Sequence, residues 1–460
     1  MQTVIKKKPI QRAAILHDLC TVGKAAMTNI LLSLPWPPPA RATRPVVPVF
    51  LPYAGCPARC VFCAQPVQTG RAPASLAATL RAALACLRQR RDRGLPPAEL
   101  AFYGGTFTAQ PPAALRACLR FFDAVRRRGL AATFRCSTRP DAVDARRLAL
   151  LRDAGCSLVE LGVQSFDSAA LAAASRGYDG PTARAACRKV TDAGMRLGVQ
   201  LMPGMPGVTP EIFLRDMALL CARPAAVKAH AVRLYPCVVM EGTELARLWR
   251  EGSYTPWTLE TTLDALAEAW LMALLARMPV IRMGLAPEKT LAAALLDGPW
   301  DPALGARVMA RALLRHVRRA LAARGLEHVI RMDVPRRCQG FFWGARNELR
   351  AAWGDLGLLA PPRWISGSRL HIEARPASET RPNGAGEEKK LKGILADREC
   401  FCNKNLPCAD SVACGMENTH ESGMPREGAP QGKNARKRDQ DKRSFNPQSP
   451  HPPTDSATDG

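Results

Sequence analysis

The sequence has no uninterrupted apolar run of about 20 residues, the length a helix needs to cross a bilayer. A membrane-spanning helix is therefore not expected. The early apolar run Asn29-Ile30-Leu31-Leu32 is short and is broken by Pro35, Pro37, Pro38 and Pro39, although Lys6-Lys7-Lys8 lie upstream. It does not read as a secretory leader. No internal repeat is visible, and no paired cysteine knuckle of the zinc-ribbon kind. The 16 cysteines are scattered. Cys86, Cys118, Cys187 and Cys221 sit in apolar helical or strand contexts, which argues against a secreted disulfide framework and for the cytoplasm.

What is present is enough chain for a large core and more than one domain: 460 residues, 47% of them apolar. The net charge is +25. Residues 377–460 carry as many basic as acidic residues, so the excess lies on residues 1–376. A basic body suits an acidic partner such as RNA. An Arg- and Ala-rich composition of genomic origin would give the same balance.

Four regions follow from composition. Residues 1–43 read as an extension, helical in its first half, closed by a Pro-rich linker. Residues 44–290 alternate apolar runs with Ala/Leu/Arg helices. Residues 291–376 read as a small accessory α/β region, and residues 377–460 as a disordered tail with few large apolar residues. Cys400, Cys402, Cys408 and Cys414 in the tail are a poor metal set, because no strand or helix flanks them.

In the second region, strands are expected at Val46–Leu51, Glu99–Tyr103, Thr133–Ser137, Leu158–Val163, Arg196–Met202 and Lys228–Tyr235, with a further one at Val280–Leu285. Helices are expected near Ser75–Arg91, Ala113–Arg128, Ala142–Ala154, Thr182–Ala193 and Glu211–Cys221. Such alternation predicts parallel strands joined by right-handed crossovers, an α/β fold in the form of a partial (β/α)6 TIM-like barrel. Working residues of barrels sit at strand C-terminal ends.

Chemistry gathers at those ends. After the first strand come Cys56, Cys60 and Cys63 at C-x3-C-x2-C spacing. Three thiolates on one loop can reach three irons of a [4Fe–4S] cube. No fourth cysteine follows at a similar interval, so one iron stays open to a small ligand. Structural zinc or inert buried thiols are the plainer alternatives. The second strand ends in Tyr103-Gly104-Gly105-Thr106, where two glycines let the backbone approach a ligand, or simply make a turn. The third ends in Ser137-Thr138-Arg139, with Arg139 suited to a carboxylate and Asp141 to capping the next helix. Strand alternation puts Glu160 and Gln164 on one side of the fourth strand, where ligand contact and internal hydrogen bonding are equal readings. The fifth gives Gln200, Met202 and Gly204 in a Pro/Gly turn. The sixth puts Arg233 and Tyr235 on one face toward a substrate.

The cysteine loop, with Phe62 just before its last cysteine, resembles the radical S-adenosylmethionine superfamily. Phe102-Tyr103-Gly104-Gly105-Thr106-Phe107, Ser137 to Asp141, Glu160 to Ser165, Gln200 to Gly207, Arg233 to Pro236 and Ile281 to Leu285 narrow it. Over about residues 44–290 the chain resembles the radical domain of the Elongator catalytic subunit and its bacterial relatives. The resemblance implies a barrel of that superfamily's type, a [4Fe–4S] cluster, and S-adenosyl-L-methionine held at the open iron. It also implies reductive cleavage to a 5′-deoxyadenosyl radical, and an electron donor such as flavodoxin or ferredoxin. It implies that Phe62, Tyr103, Gly104, Gly105, Thr106, Ser137, Arg139, Glu160, Gln164, Gln200, Met202 and Gly204 shape the cosubstrate pocket. Arg233 and Tyr235 then serve catalysis. The Elongator enzyme carries an acetyltransferase domain after the barrel, for which residues 291–460 leave no room, and has an acidic residue where Ser137 stands. The family's modification of the tRNA wobble uridine is therefore not carried over, and tRNA or another RNA stands as the expected acidic partner. A porphyrinogen-oxidase-like enzyme, an iron–sulfur or haem carrier and an RNA-binding module on the same fold are the alternatives. Thr106-Phe107 argues against the first.

Overall fold

Side-chain oxygens start most of the helices. Ser75, Asp144, Asp167, Asp179, Thr209, Thr243 and Thr258 each accept a hydrogen bond from the backbone N–H three residues on. That satisfies a donor which the first helical turn leaves unpaired. The structure is a computed structural model that describes residues 29–39, 44–70, 74–222 and 224–376. All of them lie in the first of the two units into which the chain divides, residues 1–414. The expected N-terminal helix, the tail and the tail cysteines fall outside the described residues.

The strands are β1 (Ile30–Pro35), β2 (Val46–Leu51), β3 (Ala98–Gly104), β4 (Ala131–Thr138), β5 (Cys156–Gln164), β6 (Leu197–Leu201), β7 (Ala231–Leu234), β8 (Val239–Met240), β9 (Val280–Met283), β10 (Leu295–Asp297), β11 (Leu326–Pro335), β12 (Arg363–Ile365) and β13 (Arg369–Pro376). The helices are α1 (Gln65–Thr69), α2 (Leu76–Asp92), α3 (Pro112–Arg127), α4 (Ala145–Asp153), α5 (Ser168–Ala173), α6 (Gly180–Asp192), α7 (Pro210–Cys221), α8 (Glu244–Arg250), α9 (Leu259–Leu275), α10 (Lys289–Ala294), α11 (Leu304–Ala322) and α12 (Arg350–Gly354).

Seven strands, in the order β2-β3-β4-β5-β6-β7-β9, form one wholly parallel sheet that curls into a half-barrel. Each of the six expected strands is present, and the further one expected at Val280–Leu285 is β9, the seventh of the sheet. Because all strands run one way, their C-terminal ends share one rim. The helix expected over Ala142–Ala154 splits into a 3-10 turn (Pro140–Ala142) and α4, because Asp144 rather than Asp141 caps it.

A second sheet, β1-β13-β11-β12, and a short antiparallel pair, β8 with β10, complete the described strands. Residues 30–35 do not behave as extension or linker: β1 pairs antiparallel with β13, Leu32 opposite Ile372. Trp36 follows, 2% exposed, its ring 5.3 Å from that of Trp270 on α9. Helix α11 lies along α9 through a ladder of charges spaced four residues apart on each helix. Arg311 meets Glu260 at 2.7 Å, Arg315 meets Asp264 at 3.3 Å and Arg319 meets Glu268 at 2.7 Å. No helix among the described residues is long and apolar enough to cross a membrane.

Candidate active site

The loop after β2 turns on two left-handed residues, Tyr53 (φ 57°) and Gly55 (φ 75°). At Gly55 a Cβ would lie 2.4 Å from the Thr106 carbonyl oxygen. Gln65 clamps the loop. Its Oε1 accepts from Tyr53 N–H (2.7 Å) and its Nε2 donates to the Gly104 carbonyl (2.7 Å). Val61 N–H bonds Ala174 O (3.4 Å) and Leu245 N–H bonds Val61 O (2.8 Å). The loop is thus tied to β3, to the end of α5 and to the start of α8.

Cys56, Cys60 and Cys63 are half-buried on this loop, with free thiols. Cys56 Sγ lies 3.3 Å from Thr106 Oγ1. Cys60 Sγ accepts a hydrogen bond from Arg176 Nη1 at 2.7 Å. Burial, then the neighbouring Cys60 and Cys56 sulfurs, push the Cys63 thiol up to about 12. A metal ion takes cysteine as the thiolate, so its binding releases the protons that the thiols hold. Among the described residues no three His, Cys, Asp or Glu side chains gather round one metal-ion position. A cube asks for no such gathering, since each thiolate takes a different iron. The donor set fits a [4Fe–4S] cluster.

The glycine pair has a packing reason of its own. A Cβ on Gly104 would lie 2.6 Å from Leu51 O, and one on Gly105 2.0 Å from Ala54 O. The neighbour that demands glycine is the cysteine loop. Arg139 is 7% exposed. It grips Asp141 through Nε and Nη2, at 2.9 and 2.8 Å, and donates to the backbone oxygen of Arg176. The carboxylate it meets is therefore the chain's own. Phe62 and Met202 are buried in the apolar core. Gly204 (φ 76°) takes the Tyr254 hydroxyl on its carbonyl at 2.7 Å, under the Trp257 ring. Gln164 is in the left-handed region (φ 70°) at a bulge closing β5, and its Oε1 accepts from Gln200 Nε2 at 3.2 Å. A buried non-glycine residue there stores strain, a common mark of ligand-binding rims. Ser137 is half-buried, opposite Glu160 in the ladder.

Inside the half-barrel runs an alternating series of charges. Arg135 pairs with Glu99 and approaches Glu160 at 3.5 Å, while Glu160 pairs with Arg233. Tyr103 donates to Glu160 Oε1 (2.9 Å) and accepts from Arg233 Nη2 (2.5 Å). Arg233 Nη1 donates to Tyr235 Oη at 2.9 Å. Of the two readings of Glu160, internal bonding is the one built here: 3% exposed, it is taken up by its neighbours, and Gly198 leaves room for its side chain. Burial and Glu160 raise the Tyr103 phenol, which stays protonated. Tyr235 accepts from Arg233, so its own O–H hydrogen is left to donate elsewhere.

Sequence reasoning misses Gln65, Glu99, Arg135, Arg176 and Tyr178. Glu99 and Arg135 carry a signal, since they stand on the same strands as Tyr103 and Ser137, four and two residues away, and so on the same faces. Gln65 and Arg176 stand outside the strand pattern, where no period marks them.

Two family models match the chain. One, for the radical SAM superfamily, covers residues 50–220, and one, for the Radical SAM C-terminal domain, covers residues 229–315. The chain belongs to the radical S-adenosylmethionine superfamily, a class of enzymes that generally use a [4Fe–4S] cluster, S-adenosylmethionine and a reductant. Among curated proteins it is 29% identical over 260 residues to the tRNA uridine(34) acetyltransferase of Methanocaldococcus jannaschii, covering 49% of this chain and 48% of that protein. It is 32% identical over 133 residues to Elongator complex protein 3 of Danio rerio, covering 28% and 24%. The chain spans about half the length of the archaeal relative. Among solved structures, archaeal Elp3 of Methanocaldococcus infernus with an N-terminal deletion matches at TM-score 0.45 and 23% identity, over 62% of this chain and 64% of that one.

Proposed function

We propose that this protein holds a [4Fe–4S] cluster on Cys56, Cys60 and Cys63, cleaves S-adenosylmethionine reductively, and acts on an RNA, with tRNA the first candidate. The observation that carries the reading is the seating of three thiols on a clamped loop at the C-terminal rim of a parallel half-barrel. When bound, the cluster supplies one electron that splits the sulfonium into methionine and a 5′-deoxyadenosyl radical. Relatives named for action on tRNA, together with the net charge of +25, support the choice of RNA.

The chain's own residues divide the remaining work. The Gly104 carbonyl accepts from Gln65 and has a second lone pair for an amino group. Thr106, Ser137, Gln164, Gln200 and Gly204 edge the same rim and bind the cosubstrate. Phe62, Met202, Arg139 and Glu160 hold that rim from behind. Tyr103 and Arg233 fix Tyr235, whose hydroxyl faces the substrate as a donor. A flavodoxin or ferredoxin serves as the reductant, and the cytoplasm suits an oxygen-sensitive centre.

Anaerobic reconstitution with iron and sulfide, followed by dithionite and S-adenosylmethionine, should yield 5′-deoxyadenosine. Cys56→Ala and Cys60→Ala should each take both the cluster's visible absorbance and the product down to the limit of detection. Full cluster absorbance and cleavage in either variant would refute the ligand assignment. Bulk tRNA that raises product yield above the uncoupled level identifies the substrate class. Cluster formation with RNA binding but no cleavage would instead favour a binding module.

A further inference from the structure

Arg176 is a cation with an anion missing from its surroundings. It is 4% exposed, on the segment between α5 and α6. All three of its nitrogens are engaged: Nη2 donates to Gly162 O (2.6 Å) and to Tyr178 Oη (2.7 Å), Nε to Tyr178 Oη (3.0 Å), and Nη1 to Cys60 Sγ (2.7 Å). Among the described residues no carboxylate pairs with it. A buried guanidinium without a counter-charge is costly. The Gly162 carbonyl offers a dipole only, and Tyr178 keeps its proton, which it donates to Gly162 O, with burial raising the phenol to about 12, so the contact left to carry a full negative charge is the Cys60 sulfur.

The surroundings hold this contact in place. Tyr178 Oη donates onward to Gly162 O at 2.7 Å, and the Arg176 and Arg139 guanidinium carbons lie 5.1 and 5.3 Å from the Tyr178 ring centre. Arg139, itself gripped by Asp141, donates to the Arg176 backbone oxygen. Cys60, Arg176, Tyr178, Arg139 and Asp141 thus form one connected series from the cysteine loop to the end of β4. A lysine could not serve, because one ammonium cannot present donors in the separate directions that the planar fork reaches.

We propose that Arg176 is a positioning residue of the cluster, donating a charge-assisted hydrogen bond to the Cys60 thiolate and thereby raising the cluster's reduction potential. This rests on the reading of Cys60 as a cluster ligand. The physical cause is general: a cationic donor on a ligand sulfur stabilises the more electron-rich, reduced cluster above the oxidised one. Tyr178 acts one step further back, by fixing the direction of the fork.

The test is a redox titration of the reconstituted full chain, followed by electron paramagnetic resonance. Wild type, Arg176→Gln, Arg176→Lys and Tyr178→Phe are each first assayed for bound iron and sulfide. Arg176→Gln should assemble a cluster that is about tenfold less reduced at a fixed potential, a fall of about 59 mV for one electron. Arg176→Lys should fall by less, and Tyr178→Phe should shift the same way with its arginine intact. An Arg176→Gln cluster that titrates at the wild-type potential overturns the proposal while leaving the ligand assignment standing. Should Arg176→Gln not fold, the other two variants decide: wild-type potentials in both overturn it, and lowered potentials support it. A wild-type chain that takes up no iron and sulfide overturns the cluster reading, and this proposal with it.

Discussion

At the scale of single residues, two buried acids define opposite behaviours. Glu160 has Arg233, Tyr103 and the more distant Arg135 around it. Glu160→Gln keeps the shape but leaves Arg233 with a neutral partner. Breaking a buried pair on one side costs about 3–5 kcal/mol, so urea unfolding should show a loss in that range. A loss under about 1 kcal/mol would mean that the series is not held by charge. Asp216 on α7 takes the Ser165 hydroxyl (2.6 Å) and the Phe166 N–H (3.1 Å). Burial nevertheless pushes its carboxyl up to about 6. The folded chain therefore holds a proton that the unfolded chain has already released. Its contribution to stability is complete below about pH 4, declines as pH rises to about 6 and is flat above, on the order of 3 kcal/mol in all. Asp216→Asn should remove that decline. The measurement is the difference between the two stability–pH curves, and parallel curves would sink the idea.

At the scale of elements, the tightest fit is between the cysteine loop and the end of β3. Gly105→Ala would set a methyl group 2.0 Å from the Ala54 oxygen, and the contact is backbone on both sides, so neither side can swing away. Overpacking of this kind costs about 1–3 kcal/mol or more. The loop should yield before the barrel does, giving a modest fall in melting temperature and a large fall in iron bound after reconstitution. Normal iron content would show that the loop tolerates displacement. The six expected barrel strands are legible because parallel strands buried on both faces read as unbroken apolar runs between helical periods. The start of the second sheet is not. β1 reads Ile30-Leu31-Leu32-Ser33-Leu34-Pro35, its prolines suggest a linker, and its partner β13 lies at the other end of the described chain. Pairing at that sequence separation leaves no local trace. The site divides in the same way. Cysteine spacing and strand-end motifs can be read, but Arg176 and Gln65 are defined only by what they touch. Arg139 has the carboxylate that its chemistry suits, and it is Asp141, two residues away.

At the scale of the whole molecule, the joint between the seven-stranded and four-stranded sheets and the disposition of charge are the features that matter. Trp36, packed on Trp270 and 5.9 Å from the His316 ring, fastens the second sheet to the helices α9 and α11. Trp36→Ala should cost about 3–5 kcal/mol, read as a lower denaturant midpoint. The net charge of +25 invites the inference that the Arg-rich helix α11 meets RNA. The ladder to Glu260, Asp264 and Glu268 engages Arg311, Arg315 and Arg319, and Glu348 and Asp301 engage Arg307 at 2.5 and 2.6 Å. The exposed arginines without an acidic partner among the described residues include Arg81 and Arg88 on α2 and Arg116 and Arg120 on α3, on helices that pack together on the outside of the half-barrel. If the basic body binds RNA, this surface should carry more of the binding than α11. Arg88→Glu with Arg120→Glu should weaken tRNA binding at low salt. It should also lower the slope of log affinity against log salt by roughly 0.7–0.9 for each phosphate that is no longer neutralised. Stability should hardly change, because exposed arginines without ion pairs contribute little to it. An unchanged affinity and salt slope would place RNA elsewhere on the molecule.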